Sequence, residues 1–153
     1  MNIAVIDAAF GDCGKGLMTD FHAAALGGAN VTVVRFNGGA QAGHTVVAPN
    51  GSRKRHIFSH VGSGALDGAA TYLSRFFITN PILLATEMVE LRKIACYPAI
   101  TIDARSPVTT PWDMLLNHLA ERARERNGGR HGSVGVGINE TVTRHETIPL
   151  TVG

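Results

Sequence analysis

The stretch Ile3-Ala4-Val5-Ile6-Asp7-Ala8-Ala9 runs directly into Phe10-Gly11-Asp12-Cys13-Gly14-Lys15-Gly16. An apolar run broken by a single acid predicts a strand over 3–9, buried on both faces. The glycines after it predict a turn where backbone takes positive φ or approaches a ligand closely. Residues 17–26 read as a helix stopped by Gly27-Gly28. Val31-Thr32-Val33-Val34-Arg35-Phe36 reads as the next strand. Strand, glycine turn, helix and strand form a βαβ unit, expected to have a right-handed crossover.

Further along, residues 45–48 and 53–58 flank Pro49-Asn50-Gly51-Ser52, and Asn-Gly between such runs predicts a hairpin. A strand is predicted over 72–78. Asn80-Pro81 opens a helix reaching about residue 95, with asparagine as cap and proline in the first turn. A strand is expected over 99–104. Thr110-Pro111 repeats the cap signature for a helix to about residue 126, which Asn127-Gly128-Gly129 stops. Residues 131–138 are glycine-rich again, and 147–152 read as a last strand. Alternating strands and helices imply an α/β fold: a mainly parallel sheet with flanking helices, and a P-loop-like phosphate-binding turn after the first strand.

Composition narrows the function classes. The chain has 153 residues, 44% hydrophobic and 17% charged, which fits one globular domain and excludes a disordered chain. A net charge of +2 does not argue for nucleic acid. The two cysteines, Cys13 and Cys96, lack metal-ligand spacing and suit a reducing compartment. No apolar segment is long enough to span a membrane. The expectation is a cytoplasmic protein without nucleic-acid or membrane partners.

The first loop has the physics of an anion site. Free amides at a helix start favour negative charge, and Lys15 adds a full positive charge. The usual templates fail. A P-loop would need glycine at Ala9 and a hydroxyl at Gly16, and Gly11, Gly14 and Gly16 do not space as a dinucleotide fingerprint. Asp12 is the anomaly in a phosphate site. It makes sense as a Mg²⁺ ligand or as the base that removes a substrate proton, with helix N-cap as the alternative. Cys13 beside Lys15 is either a somewhat acidic thiol or a passive small residue. The second loop, Gly38-Gly39-Ala40-Gln41-Ala42-Gly43-His44-Thr45, follows the neighbouring strand. Ligands of open parallel sheets bind outside the carboxyl ends of the strands, so Asp12 and His44 are expected to face one substrate.

At these two loops the chain resembles the adenylosuccinate synthetase family. That family carries Gly-Asp-Glu-Gly-Lys-Gly-Lys where this chain has Gly11-Asp12-Cys13-Gly14-Lys15-Gly16-Leu17. It carries Gly-Gly-His-Asn-Ala-Gly-His-Thr at residues 38–45. The likeness extends through residues 56–66, Asn80-Pro81 and Gly132-Ser133-Val134-Gly135-Val136-Gly137-Ile138. It implies a ligase of purine biosynthesis that joins L-aspartate to C6 of a 6-oxopurine nucleotide, through a 6-phosphoryl intermediate. By position, the resemblance makes Asp12 the general base and a Mg²⁺ ligand, and His44 the acid that stabilises the transferring phosphoryl group. The Gly43 carbonyl becomes the second metal ligand. Gly11, Asp12, Cys13, Gly14, Lys15, Gly16, Leu17, Gly43, His44 and Thr45 form the triphosphate cradle, a GTP-binding site in the family. Asp12, Lys15, Gln41, Ala42, Gly43, His44, Ser133 and Val134 contact the purine nucleotide, with Ser133 and Val134 on the loop that takes its 5′-phosphate.

Val134 and Val136 stand where the family has threonine and arginine. Such departures resemble the phage branch that acts on deoxyguanylate, the aminodeoxyadenylosuccinate synthetases, although Asp12 is retained. IMP and dGMP both stay open as substrate, and GTP and ATP as donor. Family enzymes are far longer. The expectation is therefore that 1–153 form the nucleotide-binding amino-terminal portion of such an enzyme, homodimeric and catalytically incomplete in isolation. A non-catalytic nucleotide-binding fragment or regulatory relic of the same fold is the alternative.

Overall fold

A computed structural model describes residues 1–8, 11, 13–48, 54–126, 128, 129 and 132–153. Its elements are α1 (Lys15–Ala25), β1 (Thr32–Gly39), β2 (His44–Val47), β3 (Arg55–Phe58), β4 (Ala70–Ile78), α2 (Pro81–Lys93), β5 (Ile100–Ile102), α3 (Pro111–Arg126) and α4 (Ile138–His145). Two 3-10 turns, Gly28–Asn30 and Ser63–Asp67, join them.

The sheet has strand order β1-β4-β5, and both ladders are parallel. The mainly parallel α/β reading holds, but the strand-helix-strand unit expected over 3–36 does not form because no strand precedes α1 among the described residues, and β4, α2 and β5 make such a unit instead. β2 and β3 pair antiparallel from His44↔Phe58 to Val47↔Arg55. The Asn-Gly turn that motivates this hairpin lies outside the described residues, as do Ala9, Phe10, Asn127 and His131.

Local chemistry accounts for the helix starts. The Asn80 side chain accepts from the Leu83 amide at 3.1 Å, and Pro81 fills the first turn. Thr110 and Asp113 close a reciprocal capping box: Asp113 Oδ2 accepts from the Thr110 amide at 2.7 Å, and Thr110 Oγ1 accepts from the Asp113 amide at 3.3 Å. Asp113 also takes Arg144 of α4 at 2.9 Å, which ties α4 to α3.

Two expectations change, and one helix is unforeseen. Residues 3–8 form no strand, and Ile6 is 83% exposed. A strand apolar on both faces needs a paired neighbour and cover on each side, and nothing among the described residues supplies them. The strand predicted over 147–152 shrinks to one antiparallel bridge, Pro107↔Thr151, because its partner is irregular loop. Residues 138–145, for which the sequence predicts no element beyond the glycine-rich stretch ending at 138, form α4.

The core lies between the sheet, α2 and the hairpin. Val46, Phe58, Val61, Ala65, Leu91 and Cys96 form its main cluster. A second cluster, Ala23, Val33 and Ala69, joins α1 to β1. The opposite sheet face, with Val34, Phe36 and Phe76, is exposed. No helix among the described residues is long and apolar enough to cross a membrane.

Candidate functional site

The first loop delivers the start of α1. Gly14 caps it at φ 82°, and among the described residues no side chain caps the first-turn amides of α1. Lys15 Nζ contacts the Asp7 carboxylate and donates to the Gly11 carbonyl at 3.1 Å. Cys13 Sγ donates to Asp7 Oδ1 at 2.5 Å. That bond, with burial and the Asp7 charge behind it, pushes the exposed thiol up rather than making it acidic. Asp12 itself lies outside the described residues.

The second loop meets the first through a glycine. A Cβ built on Gly16 would lie 2.5 Å from His44 Cβ and 2.7 Å from its ring, so only glycine lets α1 begin against this imidazole. Ser63 Oγ donates to the Gly16 carbonyl at 2.8 Å and pins the helix start from the other side. His44, the first residue of β2, is half-buried. Burial pushes its pKa down, and the Arg35 and Lys15 charges add to that. Its ring is therefore neutral near pH 7. Gly43 and Thr45 beside it are exposed.

Arg35 lies beneath this junction. Its guanidinium sits 5.2 Å over the Phe77 ring, and burial lowers its pKa while Glu87 opposes that. Glu87 anchors the strand end below the loops. It accepts from the Ser59 amide at 2.8 Å and the His60 amide at 2.7 Å. His60 Nε2 accepts from the Asn80 amide at 3.1 Å, so its ring proton sits on Nδ1, 3.4 Å from Glu87. This buried set is invisible in sequence because its bonded partners, Ser59 and His60 on one side and Asn80 and Glu87 on the other, lie 20 to 28 residues apart.

Beyond Ala42 the second loop faces the third. A cavity of about 440 Å³ is lined by Gln41, Asn117, residues 132–139 and Val142. Gly39 packs its α-carbon where a Cβ would meet Ile138 at 2.6 Å, which brings the two loops together. Gly135 at φ 80° and Gly137 at φ 76° press the third loop onto His118 and the Asp113 backbone of α3. The sequence-derived residues thus fall into two adjoining groups. Gly11, Cys13, Gly14, Lys15, Gly16, Leu17, Gly43, His44 and Thr45 belong to the paired loops, while Gln41, Ser133 and Val134 line the cavity. Asn117 and Glu140 were missed: Asn117 donates to Glu140 Oε1 at 3.1 Å and accepts from Ser133 Oγ at 3.1 Å. Among the described residues no three His, Cys, Asp or Glu side chains cluster as metal ligands.

Glycine-rich loops gathered around His44 and a helix start define an α/β protein with a candidate ligand site. The adenylosuccinate synthetase family model matches residues 4–147, and the chain belongs to that family. It is 35% identical over 121 residues to the adenylosuccinate synthetase of Borrelia turicatae, covering 79% of this chain and 27% of that protein. It is 35% identical over 138 residues to that of Thermoplasma acidophilum, covering 90% and 30%. The chain thus spans less than a third of these relatives. The fully ligated adenylosuccinate synthetase of Plasmodium falciparum superposes with a TM-score of 0.75 at 22% identity, over 94% of this chain and 32% of that one. The succinoaminodeoxyadenylate synthetase of cyanophage S-2L, solved with dGMP and with dATP as energy donor, gives 0.66 at 16% identity, over 96% and 39%. Both structures share the fold.

Proposed function

We propose that residues 1–153 are the nucleotide-binding portion of a ligase joining L-aspartate to C6 of a 6-oxopurine nucleotide, IMP or dGMP, driven by cleavage of GTP or ATP. The observation that carries this reading is the contact of Gly16 with His44, which brings the phosphate-loop helix start and the second loop to one point beside the Gln41 cavity. Lys15, Thr45 and the amides of the first loop hold the triphosphate by charge and N–H donation. Asp12 takes the purine N1 proton, which makes O6 nucleophilic. O6 takes the γ-phosphoryl group as the nucleoside diphosphate leaves, and the aspartate amine then attacks C6 and expels O6 as inorganic phosphate. His44 donates from its ring to the transferring group, in a site where pre-placed donors stabilise developing charge. Gln41, Ala42, Ser133 and Val134 hold the purine nucleotide.

Mg²⁺ fits the oxygen donors available: the Asp12 carboxylate and the carbonyl of exposed Gly43 would hold it, and it would neutralise phosphate charge. The test is calorimetry with Mg²⁺ and each nucleotide, followed by assay for the succinyl product with aspartate. Binding of a 6-oxopurine monophosphate and a triphosphate together supports the reading. Absence of both removes it. Where turnover appears, Asp12→Asn abolishes it while triphosphate binding persists, and an active variant would place the base elsewhere.

A further inference from the structure

The acid that breaks the first apolar run, Asp7, has no part in the chemistry above, yet it touches the phosphate loop twice. Its carboxylate accepts from Lys15 Nζ on one oxygen and from Cys13 Sγ at 2.5 Å on the other. The Asp7 side chain is 15% exposed, so water and salt screen its charge weakly. It belongs to neither core cluster and lies in irregular backbone before α1. Nothing in the packing explains an acid at this place.

The consequence is electrostatic. Residues 7–16 carry two acids, Asp7 and Asp12, against one cation, Lys15. Two cations reach His44 with their charge, Arg35 and Lys15. Arg35 feels the charge of Glu87, and Lys15 faces Asp7. Both cations therefore already answer a carboxylate. The amides at the start of α1 attract an anion at short range, whereas Asp7 repels it by charge. An anion that reaches Lys15 shares it with Asp7, and the repulsion grows with the anion's own charge. A metal-free triphosphate carries more of that charge than its Mg²⁺ complex.

We propose that Asp7 is a specificity-determining acid: it turns the first loop against metal-free triphosphate and so favours the Mg²⁺ complex. The inference rests on the nucleotide-binding reading above. Calorimetry of the full chain with GTP and with ATP tests it, at fixed ionic strength, once in EDTA and once in excess Mg²⁺. Asp7→Asn keeps the shape and removes the charge. It tightens metal-free nucleotide by about three- to tenfold and the Mg²⁺ complex by less, so the preference narrows. Asp7→Ser removes the same charge with a smaller side chain and narrows it too, whereas Asp7→Glu retains it. A merely structural Asp7 would change the two forms alike. Equal shifts in both forms, no shift, or weaker metal-free binding overturn the role of Asp7. A loss confined to the Mg²⁺ complex makes Asp7 a metal ligand and overturns it as well. If the unaltered chain and the variants bind neither nucleotide in either form, the nucleotide-binding reading falls and this inference with it. Thermal melts confirm that each variant folds.

Discussion

Single atoms decide how the paired loops work. Gly16 has no Cβ, and His44 occupies the space one would need. Gly16→Ala should cost about 1–3 kcal/mol of stability by overpacking and displace the imidazole. Chemical denaturation and the His44 ring resonances check both, and an unshifted His44 would contradict the packing. Lys15 sits against Asp7 and the Gly11 carbonyl, on the helix end that favours anions. Lys15→Ala should weaken triphosphate binding by at least about 1.5 kcal/mol, the low end for charge-assisted bonds. Calorimetric affinity equal to that of the unaltered chain would take Lys15 out of the site. Lys15, His44 and Gln41 were legible because their settings are local: a glycine turn, a strand end, a helix start. Asn117 was not. A mid-helix asparagine carries no local signal, and its partners lie 16 and 23 residues away.

At the scale of elements, α2 does more than cover the sheet. Its Glu87 carboxylate collects Ser59 and His60 from the segment after β3. Burial pushes Glu87 up, but the bonds from His60 and Ser59 outweigh it and hold the carboxyl at about 2 against an ordinary 4.5. A depressed folded value means stability that is present above pH 4.5 and lost as pH falls toward 2. The drop corresponds to roughly 3 kcal/mol. Urea melts of Glu87→Gln at pH 7 and pH 3 should show a less stable protein at pH 7 and a smaller decline between the two. An unchanged pH profile would relieve Glu87 of this role. Helices α2 and α3 were legible from Asn80-Pro81 and Thr110-Pro111 because caps are written within four residues. Helix α4 was hidden: its cap is Gly137, and Ile138, Thr141, Val142 and Thr143 favour strands. Tertiary contacts hold it as a helix: Arg144 on Asp113 of α3, and buried Thr141 on Thr109. Residues 3–8 err the other way. Their propensity is for strand, but a strand exists only where a ladder forms.

Across the whole molecule, apolar surface lies open on α3. Trp112, Leu115, Leu116 and Leu119 are all exposed on α3, at helical spacing that gathers them on one side. The central claim concerns continuity: the helix start at Lys15, the His44 loop and the cavity at Ser133 serve one pair of nucleotides. Its most direct test is a residue-resolved amide NMR titration of the chain, first with Mg²⁺ and a triphosphate, then with a 6-oxopurine monophosphate. The account predicts that the triphosphate shifts Lys15, Gly16, Leu17, His44 and Thr45, and that the monophosphate then shifts Gln41, Ser133 and Val134. Shifts absent from both groups, or confined to surfaces remote from them, would contradict it.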